Sequence, residues 1–283
     1  MPFRSIDPNV VPIERMERDA LKAPNGETLL YPILGDPIAF VKSPQQLTSR
    51  FTELSHNGIC LPMLVHDGDL PDVLDGLEKA ANVRGLLITM PHKRTMFGHC
   101  ATASETSKLL QVVSVVRRNT DGTWHGDMLD GVAFVTAMKK QGARLEDAHA
   151  LQVGAGSAGS AIAIALLDAG VRELVLHDTD ELNLKTLVSL LSGLTRGHVS
   201  AGPPDPTGYH LVVNATPMGL SPDDPLPVAA ELLRSSMFVG DVIAGHGVTP
   251  LLKAAREVGC KTSDGVQMVE AGIDLMTDFF LGT

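Results

Sequence analysis

LQVGAGSAGSAIAIAL, residues 151–166, is the stretch from which the fold can be read. An apolar run turns at Gly154, Gly156 and Gly159 and opens straight into an Ala/Ile/Leu-rich segment of helical character. This is G-x-G-x-x-G with a strand before it and a helix after it, the context in which the motif binds a dinucleotide. The first glycine makes the tight turn, the second lets a pyrophosphate approach the backbone, and the third lets helix and strand pack closely. Phosphates placed there meet free N–H groups and the positive end of the helix dipole. Gly154, Ala155, Gly156, Ser157, Ala158 and Gly159 are therefore the candidate cofactor loop. The next strand, Glu173–His177, ends at Asp178, about twenty residues past the glycines, where a dinucleotide fold places its ribose-binding acid.

The 283 residues suit two domains better than one large core. With 44% apolar and 20% charged residues, the balance is that of an ordinary globular protein. A net charge of −10 argues against nucleic acid or an anionic membrane surface as a partner. Cys60, Cys100 and Cys260 are odd in number and lie outside any C-x-x-C pair, which reads as reduced thiols in a cytosolic protein. The N-terminus, MPFRSIDPNVVPIERMERD, has no apolar segment of the secretory kind. No apolar run reaches the roughly 20 residues of a membrane span. The expectation is a soluble cytoplasmic protein, a monomer or homodimer, with a small molecule as its partner.

Around the glycine loop, strands and helices alternate. Residues 1–27 are expected as an irregular extension. Residues 28–34 read as a strand closed by Gly35-Asp36-Pro37, 45–56 as a helix and 60–65 as a strand. Residues 69–80 follow as a helix and 85–89 as a strand. Such alternation implies a mainly parallel α/β sheet. Strand-like pieces at 111–116 and 122–127 flank a turn, and a helix at 131–142 leads into the second half. There, strand 151–153 precedes helix 159–169, and Glu173–His177 precedes a helix from Glu181. Strands Leu211–Asn214 and 237–241 follow, then helix 250–258 and a long amphipathic helix over 266–280 that can pack back on the first half. The expected fold class is α/β with two domains. A substrate domain spans 28–130 together with 266–283, and a Rossmann-type dinucleotide domain spans 131–265.

Four segments resemble the shikimate dehydrogenase family: GDPIAFVKSP (35–44), LITMPHK (87–93), GDMLDG (126–131) and NATPMG (214–219). With the glycine loop they run in that family's order and spacing. The resemblance implies a first domain that binds a hydroaromatic acid, a second that binds NADP or NAD, and a cleft between them where hydride is transferred.

Oxidising a secondary alcohol needs a group that removes the hydroxyl proton as hydride leaves. A lysine can do this when its environment lowers its pKa or a carboxylate orients it. Lys93 follows a strand end and a proline, and Asp130 heads the crossover helix, where a carboxylate is favoured electrostatically. Both match the family's catalytic pair; a solvated surface lysine and a plain N-cap are the alternatives. Thr89 matches a strand-end Thr that bonds a substrate hydroxyl, or simply ends its strand. Ser43 matches the second serine of the family's S-x-S carboxylate pair, or caps a helix begun by Pro44. His92 is a neighbour of Lys93, and His125 and His246 lack partners at metal-ligand spacing, so no metal is expected.

The chain also departs from the family. Val41 stands for the first serine of S-x-S, Ser114 for an Asn that binds a substrate hydroxyl, and Met128-Leu129 for Asn-Thr before the catalytic Asp. Ala244 stands for a carboxylate-binding Tyr and Gly272 for a substrate-binding Gln, for which Gln267 is a nearby substitute. The candidate substrate residues are thus Ser43, Thr89, Ser114 and Gln267. Apolar Val41 and Met128 imply a substrate with less oxygen on those edges. NADP-using members carry Asn-Arg-Thr after the second nucleotide-domain strand, whereas this chain reads His177-Asp178-Thr179-Asp180. A carboxylate there accepts bonds from ribose hydroxyls and repels a phosphate, which implies NAD rather than NADP. Asn214, Thr216 and Met218 are implied to line the nicotinamide side. Two other readings stay open: a nucleotide-binding sensor without turnover, and a methylenetetrahydrofolate dehydrogenase, whose Tyr-x-x-x-Lys is missing.

Overall fold

The computed structural model describes residues 23–39, 41–194, 197–221, 223–244 and 247–282. Most of the expected N-terminal extension and His246 lie outside these described residues.

Two six-stranded sheets organise the chain. The first contains β2 (Ile33–Gly35), β4 (Pro62–Leu64), β5 (Gly85–Ile88), β6 (Cys100–Ala103), β7 (Val115–Arg118) and β8 (Trp124–Asp127). Their order is β4-β2-β5-β7-β8-β6, with β7 antiparallel to both neighbours. A separate two-stranded ribbon joins β1 (Leu29–Leu30) to β3 (Gly58–Ile59). The expected strand over 28–34 is divided into β1 and β2, and the one over 60–65 is shortened to β4, with β3 formed just before it. Pro32, which cannot donate a ladder bond, lies between β1 and β2, and Pro62 opens the exposed edge strand β4. Helices α1 (Ser43–Glu53), α2 (Leu70–Lys79), α3 (Lys93–Gly98) and α4 (Glu105–Leu110) complete this half. The strand expected from 111 begins only at Val115, because Gln111 ends α4 in the left-handed conformation.

The second sheet is wholly parallel. It comprises β9 (His149–Val153), β10 (Glu173–His177), β11 (His198–Ala201), β12 (Leu211–Asn214), β13 (Phe238–Asp241) and β14 (Lys261–Ser263). Its order, β11-β10-β9-β12-β13-β14, reverses direction between β9 and β12. This is the doubly wound dinucleotide-binding arrangement, whose ligand crevice lies at that switch point. Helices α5 (Asp130–Lys140), α6 (Ser157–Asp168), α7 (Glu181–Ser192) and α8 (Pro250–Glu257) cover it.

The last helix, α9 (Gly265–Leu281), returns to the first half as expected. Phe280 packs 5.0 Å from Tyr31 between ring centroids, and Arg117 Nη1 donates to Phe279 O at 2.8 Å. Gly131 is what allows α5 to lie against α6: a Cβ there would sit 2.1 Å from Ala161 O.

Candidate active site

Lys93 reaches its position through a short, heavily tied turn. His92 N donates to Thr89 O at 3.0 Å, and the buried His92 ring places Nε2 2.8 Å from Val65 O, a partner that requires Nε2 to carry the proton. Lys93 then opens α3, and Val113 N donates to its carbonyl at 3.1 Å. Its Nζ donates to Asp130 Oδ2, each side chain only 12% exposed. Asp130 opens α5, so its carboxylate also sits at the positive end of a helix. It is not the N-cap, a position held by Leu129. Asp127 steadies the approach: its Oδ1 accepts from Met128 N at 2.7 Å and from Ser104 Oγ.

The four candidate substrate residues fare differently. Ser43 is buried at the start of α1, yet it caps nothing; Lys42 holds the N-cap position and no side chain caps that end. Thr89 lies just past β5, with room made by Gly35, where a Cβ would fall 2.2 Å from its methyl. Among the described residues, neither hydroxyl is engaged. Ser114 Oγ instead accepts from Leu129 N at 2.9 Å. Gln267 Oε1 accepts from Asp264 N at 3.1 Å while Asp264 Oδ1 accepts from Gln267 N at 3.0 Å, a reciprocal cap on α9.

Val41 and Leu129 pack with Ile38, Val269 and Met276 against the core of Tyr31, Leu47, Phe51 and Ile273. Met128 must be reassigned. It is 2% exposed and belongs to the core shared with α5 and α6, so it does not form a substrate edge. Gly272 is buried against α5, where a Cβ would come within 3.2 Å of Ala133 Cβ.

The glycine loop lies at the end of β9. Gly154 has φ +109°, and a Cβ there would meet the Ala215 backbone at 2.6 Å; at Gly159 it would meet Gly154 O at 2.2 Å. At Gly156 it would meet nothing within 4 Å, and no side chain caps α6 behind it. Open space in front of uncapped helix N–H groups fits a dinucleotide pyrophosphate. Ala155 contributes differently from its neighbours, because its N–H already donates to Asp178 Oδ2 at 2.6 Å. Asp178 Oδ1 accepts from Asp180 N at 2.8 Å, and Asp180 itself caps α7. Only Asp178 of the two acids therefore faces the loop.

Two groups that pattern reading passed over hold this half in shape. Gln152, wholly buried on β9, donates from Nε2 to Gly154 O at 2.9 Å and to Gly159 O at 2.8 Å. A primary amide two residues before the first glycine of an apolar strand was the signal. The second group is Asp241, at the end of β13. It accepts from Asn214 Nδ2 and Ile243 N, both at 3.1 Å, and from Thr249 Oγ1 at 2.7 Å. Asn214 Oδ1 in turn accepts from Thr216 N and Oγ1, and Thr216 Oγ1 accepts from Met218 N. Asn214 is thus a buried scaffold for the loop that carries Thr216 and Met218. Among the described residues, no group of His, Cys, Asp and Glu is arranged to hold a metal.

Burial pushes the Asp241 carboxyl up to about 6. A folded pKa above the unfolded value near 3.9 means stability that is full below about pH 4 and lost as pH rises through 6. Asp241→Asn keeps an acceptor for Asn214 and Ile243, while its Nδ2 replaces the oxygen to which Thr249 Oγ1 donates, so that bond reverses and the hydroxyl accepts. The variant is expected to be more stable than the parent at pH 8, by up to about 3 kcal/mol, and by much less at pH 4. Urea titrations at the two pH values test this, and a difference independent of pH would refute it.

The profile of the shikimate dehydrogenase substrate binding domain matches residues 33–116. The shikimate dehydrogenase (NADP(+)) of Rubrobacter xylanophilus is 32% identical over 250 residues, covering 87% of this chain and 88% of that protein. The shikimate 5-dehydrogenase of Listeria monocytogenes, solved in complex with shikimate and NAD, superposes with a TM-score of 0.81 at 26% identity, over 92% of this chain and 94% of that one. The quinate dehydrogenase of Corynebacterium glutamicum in complex with NAD gives 0.79 at 28% identity, over 90% and 94%. Identity of this extent, on the same doubly wound fold, means that the chain belongs to the shikimate dehydrogenase family of oxidoreductases.

Proposed function

We propose that this protein is an NAD-preferring dehydrogenase of a secondary alcohol on a hydroaromatic, shikimate- or quinate-like acid, and that it is weak on shikimate itself. The observation that carries the reading is the sheltered Lys93–Asp130 pair on the same chain as an open glycine loop. When bound, the nicotinamide supplies the hydride acceptor or donor. Lys93 Nζ moves the proton: as the amine it takes the hydroxyl proton during oxidation, and as the ammonium it returns it to the ketone oxygen. Asp130 orients Nζ and steadies its charged form. Ser43 and Thr89 hold substrate oxygens with their unengaged hydroxyls. In this reading residues 28–130 and 266–283 hold the substrate, and 131–265 hold the cofactor.

The NAD preference rests on Asp178. Its carboxylate stands beside the glycine loop, and no Arg lies within 177–180 to pair with a 2′-phosphate. The relative from Rubrobacter is NADP-dependent, whereas the Listeria and Corynebacterium structures hold NAD, so the family admits both. NAD is expected to bind at least about tenfold more tightly than NADP, about 1.4 kcal/mol. Calorimetric titration with each oxidised cofactor measures the ratio; equal affinities or tighter NADP remove Asp178 from the ribose site. The reaction itself is tested by NADH formation over a panel of cyclic hydroxy acids. NAD binding without turnover on any of them would favour a nucleotide-binding sensor, the reading to which Val41, Ala244 and Gly272 lend support.

A further inference from the structure

The two members of the Lys93–Asp130 pair come from segments 37 residues apart, and one strand head lies between them. Val113 N donates to Lys93 O at 3.1 Å. The next residue, Ser114, donates its N–H to Asp127 O at 2.8 Å, and its carbonyl accepts from Ile88 N at 2.8 Å. Its Oγ accepts from the N–H of Leu129, the residue immediately before Asp130. Ser114 is 5% exposed, so water does not readily replace that bond. Two consecutive residues just before β7 therefore grip the lysine segment through a backbone bond and the aspartate segment through a side chain.

We propose that Ser114 is a positioning residue for the Lys93–Asp130 pair, fixing where Asp130 enters α5 rather than binding a substrate hydroxyl. The proposal rests on reading that pair as the proton-transfer pair. Leu129 is the N-cap of α5, and no side chain caps that helix start. The Ser114–Leu129 bond is thus the side-chain tether nearest Asp130 in sequence, and Asp127 holds the residue before it. Without the tether, the first turn of α5 can shift along the cleft and carry the carboxylate off Nζ. A shift of about 1 Å at such a site costs up to about a hundredfold in rate without changing what the substrate touches.

The test is a series at one position: Ser114→Ala, which removes the acceptor; Ser114→Cys, which weakens it at similar size; and Ser114→Thr, which restores it. The first measurement needs no substrate. Reductive methylation of Lys93 is followed by peptide mass spectrometry, with the exposed Lys185 as internal standard. Loosening the pair is expected to raise the Lys93 rate about threefold in Ser114→Ala, less in Ser114→Cys, and to leave Ser114→Thr near the parent. The second measurement is steady-state kinetics on whichever alcohol the panel identifies. Ser114→Ala should lower kcat about tenfold or more, with the alcohol KM within about twofold and an altered pH–rate profile, and Thr should restore both.

Unchanged Lys93 labelling in Ser114→Ala overturns the proposal. So does a KM that rises only for substrates bearing the ring hydroxyl, since that marks Ser114 as a substrate ligand. If Ser114→Ala does not fold, Ser114→Cys against Ser114→Thr decides by the same two readouts. If no alcohol is turned over, the dehydrogenase reading fails, while the labelling still decides whether the tether exists.

Discussion

Replacing Lys93 or Asp130 by alanine is expected to lower turnover by about 10²–10⁴-fold, the range for losing a positioned acid–base group. Both side chains are 12% exposed and bonded to each other, so each variant also strips the survivor of its partner. Lys93→Ala removes the group that carries the proton. Asp130→Ala leaves an ammonium with no fixed direction at the start of α3. Because the two act as a unit, the double variant should be little worse than either single one. NAD affinity should change less than about twofold, since the glycine loop and Asp178 are held by Gln152 and by each other. Single-turnover rates and NAD titrations on the three variants make the comparison. Near-normal turnover in Lys93→Ala takes that residue out of the mechanism, and a large loss of NAD affinity makes it part of the cofactor site.

Which parts of the structure the sequence foretold follows from where each part sits. β10 and β12 occupy the expected residues, because strands covered by helices on both faces read as uninterrupted apolar runs between turn signals. The glycine loop was as clear, since its residues answer to backbone geometry that few other residues tolerate. Residues 93–110 were silent: α3 and α4 are six residues each, too short to show a helical period, and β6 reads CATA. Strands β6, β11 and β14 are all sheet edges, where solvent on one side removes the apolar signal.

For the site, the family resemblance of the LITMPHK and GDMLDG segments brought out Lys93 and Asp130, but not which partner each polar atom would take. Ser114 and Gln267 have oxygens fit for a substrate, and tertiary structure turned one to Leu129 and the other to a helix cap. Ala155 lent its N–H to an acid 23 residues away. Met128 lies two residues before Asp130 in sequence, yet its side chain belongs to the core shared with α5 and α6. These outcomes depend on contacts across the fold, which a local pattern does not encode.

Shikimate oxidation with NAD is expected to run well below the ordinary enzyme level of about 10⁴ M⁻¹s⁻¹ in kcat/KM. Four positions at which the family resemblance places polar substrate contacts are Val41, Ser114, Ala244 and Gly272. A lost hydrogen bond to a charged carboxylate costs about 1.5–3 kcal/mol and a neutral one about 0.5–1.5 kcal/mol. One loss of each kind comes to about 2–4.5 kcal/mol, about thirtyfold to two-thousandfold, and ordered water that replaces one of them lowers the figure. The neighbouring structure leaves little scope for compensation. Ser114 Oγ is engaged with Leu129, Gln267 Oε1 with Asp264, and Gly272 offers no side chain, with Ala133 Cβ 3.2 Å from where its Cβ would stand. Under the proposed reading, apolar Val41 would leave a carboxylate oxygen without the serine partner that the family resemblance places there. A substrate with its acid elsewhere on the ring, or with fewer hydroxyls on that edge, avoids the penalty. Steady-state kinetics on shikimate, quinate and deoxy analogues rank these options, and Val41→Ser should improve shikimate selectively, by about tenfold. Parent kcat/KM on shikimate at or above about 10⁴ M⁻¹s⁻¹ would mean that Ser43, Thr89 and the Gln267 amide rebuild the missing contacts, and that the apolar wall lies outside the substrate's reach.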